Sequence, residues 1–524
     1  MWRRPSSRTI VVAIAVALFV VLCVLPLAYL LTIPLSSGRV AYTAVWLDAR
    51  QQALLWNTAL LGVGAALLST AMGAPFGLAL ARIALRRKAF LRVALAAPVL
   101  LPPYVLALAW TYLGGSGGIV ASLVGYDLLS EWTYSMPAAI LALSIVFSPL
   151  SMLATEVAIR RIDGRLEEAA LLVAPPRAVL RRITLPLAAP AVLAAALVII
   201  VLAVSEFGVP GVLRVRVYTT EVFTAFAALY DFSRAMLLAL PLLVLCLVVA
   251  IVAVAVTGER LVSTGRGSGT CPAVLEGWRQ PAEAAALAAV AIALGAPLIV
   301  LVREALRAES LPAVLEGSGR AITNSLVLAT IGATAVVGLA VWLGHARARA
   351  RGRVGHFADV LLVVTFAVPS TIVGVGLIGL WNRPGLMGTL YGTDAMFILG
   401  YLARLVPVAT LAIAATTRYV PVSHEEAAAV SGAGWLRTMT HIVMPQIRLG
   451  LLTAWVIAFV LAFGELGVSV LVAPPGEATL PIRIYTIIAN APPSHVAALA
   501  LLQAAVILAP LALLASVVAF RESR

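Results

Sequence analysis

Few residues in this chain could do chemistry, and most of them come in matched pairs. Glu206 and Glu465 stand in apolar surroundings, and each is followed one residue later by a glycine. Ionisable groups inside apolar segments are costly and are functional candidates by default. Two carboxylates facing each other would suit a hard, highly charged cation, which prefers oxygen ligands. The competing reading is local: each carboxylate caps its helix end or pairs with a neighbour such as Arg214 or Arg216. Arg404 is the one arginine well inside an apolar run, where it either pairs structurally or repels cations. A second matched set is polar, Leu166-Glu167-Glu168-Ala169-Ala170 and His424-Glu425-Glu426-Ala427-Ala428. Asp231 and the five histidines show no metal-ligand spacing, and no nucleophile–base set is apparent. The three cysteines, Cys23, Cys246 and Cys271, are scattered and suggest neither a disulfide framework nor a metal cluster.

The elements that must position these residues are apolar helices. Of 524 residues, 62% are hydrophobic and 11% charged, against about 25% charged in an average soluble domain. Mean hydropathy is +1.04. This excludes an ordinary cytosolic enzyme, a disordered chain and a secreted disulfide scaffold. Continuous apolar runs, each near the ~20 residues that a bilayer span needs, lie near 10–33, 54–81, 93–113, 136–157, 188–212, 235–257, 284–302, 323–344, 358–380, 395–416, 450–473 and 495–519. The runs do not alternate, so helices rather than a barrel satisfy their backbones in lipid. The first run is too long for a signal h-region and reads as a retained span. With the N-terminus placed in the cytoplasm, inner segments carry 26 basic residues and outer segments ten. That bias follows the positive-inside rule and puts both termini in the cytoplasm.

The chain repeats itself once. Asn57-Thr58 and Asn324-Ser325 are 267 residues apart, as are Pro102 and Pro369. Later the offset shortens: the two Glu-Glu-Ala-Ala stretches are 258 apart, and Glu206 and Glu465 are 259 apart. Two six-helix halves in the same orientation follow, at 1–257 and 284–524, with a cytoplasmic linker at 258–283. Parallel repeats about an axis along the membrane normal are a transporter architecture. The fold class is therefore all-α and polytopic, with about twelve spans. Pro102-Pro103 and Pro369 are expected to kink or break helices near the pathway, and Gly374 and Gly376 to permit close helix packing.

The two long inner loops, 158–187 and 417–449, carry the acidic sets. Glu-Glu-Ala-Ala is a strong helix start, because acidic residues suit the first turn and alanine has the best propensity. Ser423 could cap the second copy, with Glu426 completing a capping box. Gly432 is placed to end that helix, since glycine tolerates the left-handed conformation. The second loop resembles the EAA loop of ABC importer permeases: Glu-Ala-Ala, a glycine after three residues, then Ile-x-Leu-Pro after nine more. It matches at Glu426, Ala427, Ala428, Gly432, Ile442 and Pro445, with Met444 in place of leucine. The first loop departs further. Aligning Glu168, Ala169 and Ala170 puts Ala174 at the glycine position, and one residue is missing before Ile183 and Pro186. Pro175-Pro176 is expected to make the turn instead.

As a whole the chain resembles the ferric-iron type of these permeases, a group with thiamine and phosphonate relatives. The supporting stretches are Ser205-Glu206-Phe207-Gly208-Val209-Pro210 with Tyr218 to Phe223, and Gly464-Glu465-Leu466-Gly467 with Thr479 to Tyr485. The resemblance implies a multi-pass bacterial inner-membrane permease whose loop residues, including Glu167 and Glu425, dock two copies of a cytoplasmic ABC ATPase. An extracytoplasmic binding protein would deliver the substrate. The chain itself has no Walker A pattern, and its single lysine, Lys88, follows arginines. ATP would thus be used by the partner, with no cofactor on this chain and no nucleic acid involved. The substrate-pathway candidates are Glu206, Glu465 and Arg404. An ion-coupled secondary transporter is the rival from another class, and the duplicated loops argue against it.

Overall fold

The computed structural model describes residues 7–30, 48–125, 129–258, 276–307, 311–385 and 388–522. Among these it is helical, without a strand. Most of the 258–283 linker lies outside the described residues. Among the described residues ten helices are long and apolar enough to cross a bilayer, and twelve if two sharply bent pairs each count as one span. Leu67, Ile251, Ile299 and Ile331 leave more than half of their surface uncovered. An apolar surface that extensive is stable only against lipid.

In the first half, α1 is Ser7–Leu30 and α2 is Ala49–Arg82. The third run is split into α3, Lys88–Ala96, and α4, Pro103–Gly114. Then follow α5, Met136–Arg160, the short α6, Gly164–Leu171, α7, Pro176–Ser205, and α8, Phe232–Gly258. The second half repeats the order with α9, Arg279–Ala305, and α10, Gly319–Arg349. Its third run is α11, Gly352–Ala367, and α12, Ser370–Trp381. It ends with α13, Ala395–Thr417, α14, Val422–Val430, α15, Trp435–Gln446, α16, Arg448–Phe463, and α17, Pro493–Glu522.

Proline accounts for the split spans. Pro102 and Pro369 are extended residues just ahead of α4 and α12. A proline lacks the N–H that would continue the preceding helix, and it disfavours helical geometry in the residue before it. In the second half α11 and α12 meet at 95°. The halves differ at their re-entry: α7 runs unbroken from the loop, whereas α15 and α16 meet at 79°.

Helix pairs pack through missing side chains. A Cβ on Gly73 would lie 2.1 Å from the Ser148 carbonyl oxygen, and one on Gly77 would lie 2.3 Å from that of Met152. The α2 and α5 backbones therefore touch directly. Gly344 brings α10 onto α13 in the repeat, since its Cβ would sit 2.9 Å from Ile413. Gly376 brings α12 onto α1, with 2.7 Å from a built Cβ to the Pro26 carbonyl oxygen. The first helix of each half packs on the other half: α1 lies along α10, and α9 lies against α3 and α4. One buried apolar core consequently runs from Ala15 to Ile507 through both halves.

Candidate functional site

Both candidate carboxylates lie just beyond helix ends rather than within helices. Glu206 follows α7 in an extended conformation, and Glu465 follows α16 after Gly464. Each breaks its span and uses one oxygen to cap the next turn. Glu206 Oε1 accepts from the Gly208 and Val209 amides at 2.9 and 3.4 Å. Glu465 Oε1 accepts from the Val468 amide at 3.0 Å. Neither carboxylate is bonded to Arg214 or Arg216, so the local reading is met by backbone and not by those arginines. The glycines that follow permit the geometry. A Cβ on Gly208 would lie 2.7 Å from Tyr104, and one on Gly467 would lie 2.0 Å from Ser370 Oγ. Each Glu-x-Gly turn therefore packs on the proline break of its own half.

The two turns open into one cavity of about 300 Å³ between the halves, which Arg404 also lines. Arg404 is nine-tenths buried. Its guanidinium donates to the Phe366 carbonyl at 2.9 Å and to the Val368 carbonyl, and it lies over the Phe366 ring at 5.2 Å. It thus satisfies carbonyls left open where α11 breaks while standing within electrostatic range of both carboxylates. Tyr104 is held by a 2.5 Å bond from its hydroxyl to Gln503 Oε1. The cavity therefore offers two carboxylates that each keep an oxygen outside these backbone bonds, with one guanidinium to offset their charge. Such a set can attract a cation without caging it.

The loops form a second site. In the first, α6 starts on Asp163, whose carboxylate accepts from the Arg165 amide at 3.1 Å. Its end is closed by Ala174 donating to Ala170 at 2.9 Å, and Ala174 has no left-handed backbone. Pro175 then turns the chain into α7. In the second loop α14 starts two residues earlier than the capping box required. Pro421 is the N-cap, Ser423 is already helical, and no side chain caps the end. Proline's fixed φ begins the turn in place of a serine hydroxyl. Gly432 ends the helix at φ 79°, and Ala433 donates back to Ala428 at 2.9 Å, as in a Schellman closure. A π-turn precedes the proline of each loop, at Leu180–Thr184 before Pro186 and at Met439–Val443 before Pro445.

The paired glutamates have opposite orientations. Glu167 is buried and ion-paired to Arg82 at 2.7 Å, and it accepts from Thr184 Oγ1 at 2.5 Å. Glu425 accepts from Arg349 Nε and the terminal nitrogen at 2.9 and 2.6 Å, and it lies 3.1 Å from His345 Nε2. Burial pushes the Glu425 carboxyl up, but the Arg349 bond and the His345 contact outweigh it and hold the group below its ordinary range. Arg82 and Arg349 end α2 and α10, so each loop is anchored to the same place in its own half. Glu168 and Glu426 point outward and are exposed, as are Ala169 and Ala427. The exposed tips beside them are Leu172 and Val430, at 87% and 90% exposure. Sequence reasoning missed both arginines, although they are 267 residues apart, the offset already set by Asn57 and Asn324.

Two sets of membrane-length helices thus meet around a charged cavity, and each carries a matched, anchored loop. The family of the binding-protein-dependent transport system inner membrane component matches residues 336–521. A Streptomyces antibioticus protein described as an ABC transporter permease is 33% identical over 163 residues, covering 31% of this chain and 69% of the relative. The Fe(3+)-transport system permease of Haemophilus influenzae is 24% identical over 493 residues, 93% of each chain. A Salmonella typhimurium protein described as a 2-aminoethylphosphonate transport permease is 36% identical over 117 residues, covering 21% of this chain and 41% of the relative. The chain belongs to the binding-protein-dependent inner membrane component family, the membrane permeases of ABC importers.

Proposed function

We propose that this permease imports ferric iron by alternating access between its two halves. The observation that carries the reading is that Glu206 and Glu465, one from each half, open into the same cavity. A trivalent cation prefers oxygen ligands, and the likeness to an Fe(3+) permease extends over nearly the whole chain. The work comes from two copies of a separate ATPase docked on α6 and α14, which use the ATP; this chain carries no cofactor. A binding protein delivers iron at the opposite end, and the loops and both termini face the cytoplasm. A phosphonate is the second reading, favoured by Arg404 in the cavity wall and by the phosphonate permease relative.

Radiolabelled ferric uptake at matched expression tests the proposal. Glu→Gln keeps size and removes charge. The Glu206→Gln/Glu465→Gln double variant should stay in the membrane, keep its ATPase and lose most uptake, and each single variant should lose less. Wild-type uptake by the double variant would confine both residues to capping and remove the argument for a cationic cargo.

A further inference from the structure

At the end of α2 opposite Arg82 lies a second pocket of about 740 Å³, lined by Arg50, Arg214 and Arg216 among others. Phe207 borders both this pocket and the inner cavity. It packs against Phe223 and Tyr485, with ring centroids 4.6 and 5.2 Å away, so aromatic rings from both halves back it on the side of this pocket.

The pocket's charge is unbalanced. Glu221 takes Arg50 at 2.9 Å. Arg214 and Arg216 have no carboxylate partner among the described residues. Arg214 lies over the Tyr134 ring at 5.2 Å, a contact that uses the guanidinium face rather than its N–H edge.

The internal repeat makes these two arginines informative. Asn57 donates to the Arg216 carbonyl at 3.2 Å, and Asn324 donates to the Ala478 carbonyl at 3.5 Å. The Tyr218 amide donates to Thr58 Oγ1 at 2.9 Å, and the Leu480 amide donates to Ser325 Oγ at 2.6 Å. Arg216 therefore corresponds to Ala478, and Arg214 to Gly476. Both residues of the latter pair are left-handed, Arg214 at φ 57° and Gly476 at φ 82°. Glycine is the ordinary occupant of such a turn. The first half places an arginine there at a conformational cost, and a second arginine where the other half has a methyl group. The latch itself needs neither side chain, since in the first half its bonds run through the Arg216 carbonyl and the Tyr218 amide. An outlier of this kind points to a task for the side chain.

We infer that the pocket bounded by Arg50, Arg214 and Arg216 is an oxyanion site, built for the phosphate or phosphonate group of a soluble solute or of a lipid headgroup. Paired guanidiniums suit such groups through bidentate, charge-assisted bonds. The site is separate from the cavity of Glu206 and Glu465, and its test reads anion binding rather than iron uptake.

The probe is inorganic phosphate, titrated calorimetrically into the full chain in phosphatidylcholine nanodiscs, with chloride at matched ionic strength as the reference. Arg214→Gly/Arg216→Ala copies the second half and removes the left-handed strain, so it should melt no lower than wild type. Wild type should bind phosphate saturably, and the variant at least tenfold more weakly. No saturable binding to wild type, or equal affinity in a folded variant, would overturn the site. Discs containing phosphatidylglycerol separate the sources. Unchanged phosphate affinity there assigns the site to a soluble oxyanion. Competition by the anionic lipid that vanishes in the variant assigns it to a headgroup. Capture of a binding protein through these arginines, without any phosphate affinity, would make the surface a protein-docking face and refute the oxyanion reading.

Discussion

Glu167→Ala should loosen the first loop more than Glu425→Ala loosens the second. Arg82 and Glu167 expose 7% and 2% of their side chains, whereas Arg349 and Glu425 expose 12% and 17%. Removing one partner of a buried pair costs about 3–5 kcal/mol, because the other charge stays desolvated. For the better-solvated pair, the loss of charged hydrogen bonds suggests about 1.5–3 kcal/mol. At roughly 1.4 kcal/mol per tenfold, detached first loops should become more populated by about a hundredfold or more. Hydrogen exchange across 164–171 and 422–430 in nanodiscs reads this directly. Arg82→Leu/Glu167→Leu should recover part of the loss, since an apolar pair leaves no stranded charge, although Thr184 then loses its acceptor. The second anchor also carries a pH signature. Glu425 is held below its ordinary value of 4.5, so its contribution is complete above that value and fades only as pH falls through the lower folded value. Protection of 422–430 should therefore be flat from pH 8 to about pH 7, above the range in which the neighbouring His345 imidazole takes up a proton. Unchanged exchange in Glu167→Ala, within about twofold, would refute the anchoring argument.

The outward glutamates should behave differently. Glu426→Arg should keep loop protection near wild type and reduce copurification of the ATPase, with Glu168→Arg milder because its loop departs further from the family pattern; undiminished association in Glu426→Arg would exclude that surface from docking. Gly432→Pro should abolish transport while the protein stays in the membrane, because proline cannot adopt the left-handed turn at φ 79°. Gly77→Val should lower the yield of folded protein sharply, since even a Cβ would lie 2.3 Å from the Met152 carbonyl oxygen; a normal melting temperature would disprove backbone contact between α2 and α5.

Hydropathy, repeat and loop chemistry are local or periodic properties, and the sequence alone determined them. Apolar runs placed the spans because lipid demands satisfied backbones. Offsets of 267 and 258–259 residues revealed the two halves. Gly432 marked the end of α14 because the left-handed turn is a single-residue preference. Ser423 misled for a related reason: capping rules see a hydroxyl and a glutamate three residues apart, but Pro421 had already begun the helix.

Tertiary structure alone decided which glutamate of each pair faces inward. That depends on the rotation of α6 and α14 against helix ends 85 and 76 residues earlier, at Arg82 and Arg349. It also decided that Glu206 and Glu465 stand in backbone breaks and share a cavity with Arg404, because broken spans can be brought together only by packing one half on the other. The left-handed turn at Arg214 had no signal in the residue itself, although glycine marks the same turn at Gly476. A backbone conformation imposed by a hydrogen-bonded latch between distant segments is a property of the folded chain.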